Sequence, residues 1–453
     1  MARLSAGAGA GAAGAAPNAS GRGPERSAPT PVTGIVHLGL GAFHRAHQAP
    51  FTAEVDDERR WGIAAFTGRS PVDEALARHD GVYTLVEAGA RPDAHLIEQL
   101  SSVRSGQDTA AFRSALADRR VSVLTLTITE AGYRLGADAR LDLLDEEVQS
   151  DVAVLRGERR SDLATAPGRI VDALAARRAS AGPLSIVSCD NLAGNGGAAR
   201  SAVLGLAAEV DEALAGWIEQ KIAFPSTAVD RITPRPDARA RDLAEQLTGL
   251  ADPAAVLTER HREWVLEDSF AAERPAWERA GALVVADVAP FEKRKLLMLN
   301  AAHTLLALEG RLRGHETVRA AFADRELRMR VEALWDEAAH LLPPEASAVE
   351  DYRAALAERF AEPGIDHRLE QIAQGSEQKL RIRVVPTVVA ERAAGRTGRA
   401  ALHAVAAYLR SSRRLREGLA GLHEPWANDT GVADLVEEIR DTLPDRPSGH
   451  PVS

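Results

Sequence analysis

The stretch GIVHLGLGAFHRAHQAPF, residues 34–51, decides the fold. It opens with a short apolar run, turns around Gly39 and Gly41, and continues into polar residues suited to the start of a helix. Two glycines permit a tight turn and let the backbone approach the pyrophosphate of a dinucleotide at a helix N-terminus. His44 replaces the third glycine of the usual fingerprint, so the motif by itself is equally compatible with an ordinary strand, turn and helix. The candidate cofactor contacts in this stretch are Gly39, Gly41, Ala42, Phe43 and His44.

Further apolar runs alternate with helical stretches after this motif. The strand-like runs are WGIAAF (61–66), VSVLTLTIT (121–129) and PLSIVSCDN (183–191). The helical stretches are TAAFRSALADRR (109–120) and GRIVDALAARRA (168–179). This alternation predicts an α/β architecture, in which helices cover a parallel sheet.

The pattern changes in the second part of the chain. The segments FEKRKLLMLNAAHTLLALEGRL (291–312) and LRMRVEALWDEAAHLL (327–342) carry helical periodicity, and later segments continue it with few strand signals. We therefore predict an α/β domain over residues 31–288 and a mostly helical domain over residues 289–453.

The first 30 residues differ from the rest in composition. They are mainly Ala, Gly, Ser and Pro, with almost no large apolar side chain. Such a segment buries too little surface to offset its ordering entropy, so we predict that residues 1–30 are disordered. They also lack the continuous Leu-rich core of a secretory signal.

Composition and charge exclude several classes of protein. The net charge of −10 argues against a nucleic-acid or anionic-membrane partner. No apolar stretch approaches the roughly 18–20 residues that a membrane span needs. Cys189 is the only cysteine, which excludes a disulfide framework and leads us to expect a cytoplasmic protein.

Lysine is rare in this chain, whose basic residues are nearly all arginine. The only lysines are Lys221, Lys293, Lys295 and Lys379. Arginine keeps its proton in proteins, whereas a desolvated lysine can lose it and act as a base. At α-helical spacing, Asn300 lies roughly 140° from Lys295, with His303 between them on one broad polar face. The same spacing is compatible with three polar residues that cap the helix or bridge to another domain.

Polar residues also follow predicted strands, at the edge where open α/β sheets bind ligands. Asn191 follows the run PLSIVS, and its amide could donate to a developing alkoxide. The pair Asp190-Asn191 is also common turn chemistry. Asp230 and Arg231, in FPSTAVDRITP (224–234), form a second candidate pair, which a structural salt bridge would explain equally well.

Two features bear on cofactor and metal. Arg69 and Ser70 stand after WGIAAFTG, where an acidic residue would usually hold a ribose hydroxyl, so the choice between NAD and NADP stays open. His44 and His47 are three residues apart, but no Cys cluster, HExxH motif or carboxylate partner accompanies them. We therefore predict no metal site.

Together these segments closely resemble the long-chain polyol-specific dehydrogenases, a family that includes mannitol 2-dehydrogenases and fructuronate reductases. The matching stretches are GLGAFHRAHQA, TLTITEAGY, SCDNLAGNG, FPSTAVDRITP, WVLEDSFAAERPAW, KLLMLNAAHTLLA and HRLEQIAQGSEQKLRIR. The resemblance implies an N-terminal Rossmann-type doubly wound sheet and a C-terminal mostly helical domain. It also implies a metal-independent enzyme that uses NAD, with NADP as an alternative.

The resemblance also implies roles for individual residues. Lys295 would be the general base that takes the hydroxyl proton as hydride leaves the carbon for nicotinamide. Asn191 and Asn300 would donate hydrogen bonds to that oxygen. His303 would orient the substrate, and Glu292 would pass the proton towards solvent. The other residues at matching positions are Thr129 and Glu130 for the cofactor, and Asp230, Arg368 and Lys379 for the substrate.

The expected reaction is reversible hydride transfer between NAD and a secondary alcohol, with mannitol–fructose and mannonate–fructuronate as the leading pairs. The cations of residues 367–383 favour a carboxylate substrate, although Gln374 replaces an acidic residue usual in this segment of the family. The alternative substrate is mannitol 1-phosphate. The alternative of another class is a non-catalytic dinucleotide-sensing protein, which the presence of Lys295 and Asn191 disfavours. We expect a monomer whose partner is a small-molecule polyol or sugar acid.

Overall fold

The computed structural model describes residues 2–3, 21–344 and 348–445. Disorder was predicted for residues 1–30. Of these, residues 1 and 4–20 lie outside the described residues. No helix among the described residues has the length and apolar composition that crossing a membrane requires.

The chain divides into two compact units, Met1–Val288 and Ala289–Ser453. The described strands all belong to the first unit. In chain order they are β1 Ala2–Arg3, β2 Thr33–Leu38, β3 Gly62–Phe66, β4 Tyr83–Glu87, β5 Asp93–Ile97, β6 Leu100–Arg104, β7 Val123–Leu126, β8 Leu184–Ser188, β9 Ile222–Ala223, β10 Thr227–Asp230, β11 Val256–Thr258, β12 Glu263–Glu267 and β13 Leu283–Val285.

Six parallel strands form the main sheet, in the order β6-β3-β2-β7-β8-β9. The chain runs from β2 outward through β3 to β6, then returns to β7 beside β2 and continues to β8 and β9. This reversal is the switch point of a doubly wound sheet, and it lies between β2 and β7. Every residue of β3 and β8 is buried, as expected for a sheet covered on both faces. The predicted parallel sheet is confirmed.

Helices pack on this sheet near the positions that periodicity predicts. Asp108 caps one of them by accepting a hydrogen bond from the Ala111 N–H, and Thr165 caps another by accepting from the Gly168 N–H. The helices of the first unit are α1 Ala42–Ala46, α2 Gln48–Val55, α3 Glu74–Arg78, α4 Thr109–Leu116, α5 Glu146–Leu155, α6 Ala166–Ser180, α7 Asn195–Val210, α8 Glu212–Lys221 and α9 Ala238–Thr248.

Two smaller sheets, which the alternating pattern did not predict, complete the first unit. One has the order β1-β5-β4-β11, and the other has the order β10-β12-β13. Buried aromatic rings pack against them: Trp264 and Trp277 lie 4.6 Å apart between ring centroids, and the Trp277 indole N–H donates to the Thr52 hydroxyl at 3.0 Å.

Residues 21–30 make contacts with other parts of the first unit, so the expectation of disorder is wrong for this part of the segment. The Arg26 guanidinium donates to the backbone oxygens of Asp80 at 2.6 Å and Leu100 at 2.8 Å. The Ser27 hydroxyl donates to the Glu98 carboxylate at 2.6 Å. These polar contacts hold a segment that has too few apolar side chains to join a core.

The second unit is helical across its described residues, which confirms the predicted mostly helical domain. Its core surrounds α11, where Leu305 and Leu306 are fully buried. A π-helical turn, Lys295–Asn300, separates α10 from α11. The helices are α10 Ala289–Arg294, α11 Ala301–Leu312, α12 Val318–Ala323, α13 Arg325–Ala339, α14 Val349–Ala361, α15 Leu369–Ala373, α16 Ser376–Arg383, α17 Val385–Ala393, α18 Arg399–Tyr408, α19 Leu415–Leu422 and α20 Thr430–Thr442.

Candidate active site

Gly39 shapes the turn that follows β2. Its φ of 108° is rare for any other residue, and a Cβ atom there would lie 2.1 Å from the Thr127 carbonyl oxygen. The N–H groups of Gly39 and Leu40 donate to the Phe66 carbonyl oxygen at 2.9 and 2.8 Å, which ties the turn to the end of β3. Gly41 precedes α1, and a Cβ atom there would meet only the Gly39 carbonyl oxygen, at 3.7 Å. The turn is therefore closely packed at Gly39 and has open space at Gly41, beside the start of α1.

A cleft of about 460 Å³ opens beside this turn, at the carboxyl ends of β2, β3 and β7. This is the switch point of the sheet, where open α/β folds bind their ligands. The walls come from the glycine turn, the segments after β3 and β7, and the start of α6. The cleft has the size and the close backbone approach that the phosphates of a dinucleotide require. Its lining includes Gly39, Gly41, Arg69, Thr129, Arg134 and Arg169.

The predicted cofactor residues divide into two groups. Those that line the cleft are Gly39, Gly41 and Thr129. Those outside its lining are Ala42, Phe43, His44 and Glu130. The His44 ring is fully buried and stacks on His37 at 3.4 Å between centroids, and burial lowers its pKa well below the ordinary 6.5. The structure thus places His44 in the packing beneath the turn and not in the cleft.

Asp190 holds the loop that carries Thr129. Its carboxylate accepts hydrogen bonds from the N–H groups of Thr129 at 2.7 Å and Ile128 at 3.1 Å, and from the Tyr133 hydroxyl at 2.6 Å. Thr129 has φ 66° and ψ 162°, a backbone conformation that non-glycine residues seldom adopt. Burial raises the pKa of Asp190, while the three donors act in the opposite direction. This tether escaped the sequence analysis, because the two partners lie 61 residues apart.

Asn191 is exposed at the end of β8, and a second asparagine fixes the backbone beside it. The Asn195 amide donates to the backbone oxygens of Asp190 at 2.9 Å and Thr227 at 2.8 Å. Its side-chain oxygen accepts from the Thr227 N–H at 2.9 Å. Asn195 therefore joins the end of β8 to the start of β10. Sequence reasoning missed this role, although Asn195 lies in the SCDNLAGNG stretch.

Asp230 and Arg231, the second candidate pair of the sequence analysis, each lie close to a charged or titratable side chain from another segment. Asp230 is buried at the end of β10, with its Oδ2 atom 3.7 Å from the His261 Nε2 atom. The fully buried Arg231 side chain pairs with the Glu87 carboxylate at 2.5 Å and donates to the Glu259 carbonyl oxygen at 3.0 Å.

In the second unit, Lys295 and Asn300 begin and end the π-helical turn. The Ala301 N–H donates to the Leu296 carbonyl oxygen, five residues earlier, which is the hydrogen bond of a π-helix. Because this bond adds about one residue to the turn, Lys295 and Asn300 lie closer in direction than regular α-helical spacing gives. The α-helical angle of roughly 140° between them was wrong, because it assumed regular α-helical geometry. Such π-helical turns occur frequently at functional sites.

Side chains from outside the turn bind its carbonyl groups. The Trp335 indole N–H donates to the Met298 carbonyl oxygen at 3.1 Å. The Asn300 carbonyl oxygen accepts from the Thr304 hydroxyl at 2.9 Å and from the Arg383 guanidinium at 3.5 Å. Arg383 is a further residue at this site that the sequence analysis did not single out, although it ends the matching stretch at residues 367–383.

His303 lies on α11, one turn beyond the π-helical segment, and is buried. Its ring contacts those of Phe360 and His367, at 5.0 and 4.8 Å between centroids. Burial lowers the pKa of His367 to about 4, so the neighbouring ring is neutral. Glu292 is half-buried on α10, and Lys293 beside it is exposed.

Arg368 and Lys379 have structural partners elsewhere. Arg368 is exposed and pairs with Glu316 at 2.5 Å, beside a separate pocket of about 210 Å³. The Lys379 ammonium group donates to the Ile372 carbonyl oxygen at 2.8 Å, in the last turn of α15. Among the described residues, the partners of these two charged groups are thus Glu316 and Ile372, which lie outside the π-helical turn.

The parallel sheet and the glycine turn at its switch point define a Rossmann-type fold, which is followed in the chain by a helical domain. Residues 33–279 match the mannitol dehydrogenase Rossmann domain, and residues 287–417 match the mannitol dehydrogenase C-terminal domain. This chain belongs to the mannitol dehydrogenase family and is an oxidoreductase.

Individual relatives agree with this assignment. The chain is 37% identical over 370 residues to the D-mannonate oxidoreductase of Escherichia coli K12, a match that covers 78% of this chain and 74% of that protein. It is 35% identical over 388 residues to the mannitol 2-dehydrogenase of Cereibacter sphaeroides, covering 82% and 78%. Among solved structures, the Pseudomonas fluorescens mannitol 2-dehydrogenase in ternary complex with NAD and D-mannitol aligns with a TM-score of 0.75 at 29% identity, covering 93% of this chain and 94% of that one.

Proposed function

We propose that this chain is an NAD-dependent dehydrogenase that transfers hydride reversibly between the cofactor and a secondary alcohol of a polyol or aldonate. The observation that supports the proposal is the π-helical turn that begins at Lys295 and ends at Asn300, with His303 one turn beyond on α11. The relatives named above act on mannitol and on mannonate, which suggests the same class of substrate for this chain.

The cleft at the switch point is the proposed cofactor site. A Cβ atom has no room at Gly39, and the exposed Gly41 leaves the first turn of α1 open to a phosphate. Thr129, held by Asp190, lines the same cleft. When bound there, NAD supplies the hydride acceptor. The protein would contribute the orientation of the dinucleotide and the exclusion of water around it.

Lys295 is the proposed general base. A neutral lysine takes the hydroxyl proton while the carbon loses hydride, and the resulting ammonium returns that proton in the reverse direction. Lys295 is half-buried, in a turn whose residues Leu297 and Met298 are buried. The amide of Asn300 would donate to the substrate oxygen, and Glu292 would relay the proton to solvent.

Arg383 favours an aldonate among the candidate substrates. Its guanidinium contacts the Asn300 carbonyl oxygen, whereas the charged groups of Arg368 and Lys379 bind other partners. A guanidinium beside the catalytic turn can hold a carboxylate in a bidentate manner. We therefore place mannonate–fructuronate ahead of mannitol–fructose.

The test is a spectrophotometric assay of the purified full chain with NAD and NADP. The substrate panel contains mannitol, arabinitol, sorbitol, mannonate and mannitol 1-phosphate, with fructose and fructuronate in the reverse direction. The proposal expects substrate-dependent NADH formation with a polyol or aldonate, fastest with mannonate. Absence of turnover with every member of the panel, from protein shown to be folded, would contradict it.

A further inference from the structure

We propose that Arg69 and Arg134 form a subsite for a phosphate on the adenosine ribose of the dinucleotide, and that Glu147 controls its occupancy. This inference rests on the proposed function, since it assumes that a dinucleotide lies in the cleft. Beyond that function, the inference assigns to Glu147, which is not among the residues lining the cleft, the preference between NAD and NADP.

The two guanidinium groups share one carboxylate oxygen. The Arg69 Nη2 atom lies 2.5 Å from the Glu147 Oε2 atom, and an Nη2 atom of Arg134 contacts that same oxygen. Arg134 also pairs with Asp145 at 2.8 Å. Because both guanidiniums touch a single atom, they lie side by side. A phosphate is the ligand that presents several charged oxygens to two adjacent guanidiniums.

The position of this pair is that of a ribose-recognition site. Arg69 and Ser70 follow β3, the strand next to β2, where dinucleotide-binding folds place the residue that reads the ribose 2′ position. Arg69 and Arg134 both line the cleft that contains the glycine turn. The Arg134 backbone is left-handed, at φ 56°, and its side chain is only 19% exposed.

The charges around the subsite are close to balanced. A third cation, the buried Arg169, lines the same cleft and donates to the Ala164 carbonyl oxygen at 3.1 Å. Asp151, Arg69 and Glu147 all act electrostatically on it, which places these charges near one another. Asp145 and Glu147 oppose the cations. Glu147 is the carboxylate bonded to both arginines of the pair, and its side chain is 42% exposed.

This arrangement gives Glu147 control over cofactor choice. Its carboxylate stands where a ribose phosphate would bind, so it repels that phosphate and neutralises the cations that would attract it. A ribose hydroxyl, which is neutral, suffers no such repulsion. The negative charge of Glu147 therefore favours NAD, and removal of that one charge leaves two adjacent guanidiniums for NADP.

The experiment measures binding of two probes to the full chain by calorimetry: adenosine 2′,5′-bisphosphate and adenosine 5′-monophosphate. Glu147→Gln keeps the size of the side chain and removes its charge. We expect this variant to bind the bisphosphate roughly tenfold or more tightly than wild type, with about the same affinity for the monophosphate. Adding Arg134→Gln to Glu147→Gln should abolish the gain, because it removes one of the two phosphate ligands.

Glu146→Gln is the matched control. Glu146 is the neighbouring exposed residue in the first turn of α5, and its substitution changes the net charge equally. An equal gain in Glu146→Gln, or no selective gain in Glu147→Gln, would overturn the inference while leaving the proposed function intact if the monophosphate still binds. Wild-type protein that binds neither probe would instead contradict the cofactor site itself. A melting curve for each variant checks that it folds. If Glu147→Gln does not fold, the single variant Arg69→Gln still tests the inference, because it should weaken bisphosphate binding selectively.

Discussion

The carboxylate of Asp190 accepts the backbone N–H of Thr129 at 2.7 Å and thereby holds a strained residue at the edge of the nucleotide cleft. A non-glycine residue in such a conformation costs roughly 1–3 kcal/mol and persists only when its surroundings enforce it. Asp190 is thus a positioning residue that lies directly before Asn191 in the chain.

We expect Asp190→Asn to weaken cofactor binding more than it slows turnover. An amide has one acceptor oxygen, so it cannot serve the N–H groups of Ile128 and Thr129 as the carboxylate does. The KM for NAD should rise about tenfold, with a smaller change in kcat, if the loop relaxes. Tyr133→Phe, which removes only the hydroxyl donor to Asp190, should give a weaker effect of the same kind. A fall in kcat with unchanged KM for NAD would assign Asp190 a different role.

The two glycines of the turn should respond differently to alanine. Gly39→Ala forces a positive φ on a side-chain-bearing residue and a collision with the Thr127 carbonyl oxygen, so it should lower the melting temperature sharply. Gly41→Ala has space in the folded chain and an extended backbone, at φ −148°. It should fold normally and bind NAD weakly, because its methyl group meets the phosphates. Equal stability of the two variants, measured by thermal denaturation, would contradict the geometry of the turn.

Buried histidines should make the first unit sensitive to acid. Burial lowers the pKa of His47 to about 3, and its Nε2 atom lies 3.0 Å from the Glu263 carbonyl oxygen. The unfolded chain, with an ordinary histidine pKa near 6.5, binds a proton first. The stability from this group is therefore complete above pH 6.5 and is lost as the pH falls towards 3, by roughly 1.4 kcal/mol per unit.

The measurement is the free energy of unfolding of wild type and His47→Gln between about pH 7.5 and pH 5. The variant should show a flatter dependence, since glutamine does not titrate. His423→Gln, in the second unit and half-buried beside Trp426, is the control. Identical slopes for wild type and His47→Gln would show that His47 does not contribute to the acid sensitivity.

Local pattern predicted the architecture well. The parallel sheet follows from apolar runs such as Leu184–Ser188, which is fully buried and bounded by polar turns. The helical second unit follows from periodicity, and the glycine turn follows from Gly39 and Gly41. Each of these features depends on residues close together in the chain.

Non-local contacts limited the prediction of the site. Nothing adjacent to His44 in the chain shows that its ring stacks on His37 beneath the turn. The tether from Asp190 to Thr129 joins two strand ends, and the link from Arg383 to Asn300 joins two helices 83 residues apart. The π-helical turn was missed because an angle computed for an α-helix does not reveal one extra residue in a turn.

The catalytic role of Lys295 is the central claim, and the turnover of three lysine variants tests it most directly. Lys295→Ala should lower kcat by about 10²–10⁴-fold, the range typical of general acid–base catalysis, while NAD binding to the other unit survives. Lys295→Arg should fail almost as badly, because a guanidinium keeps its proton at working pH. Lys293→Ala, an exposed lysine two residues earlier, should retain nearly full turnover. Equal losses at Lys293 and Lys295, or full activity of Lys295→Arg, would mean that positive charge alone is required and would contradict a catalytic base at this turn.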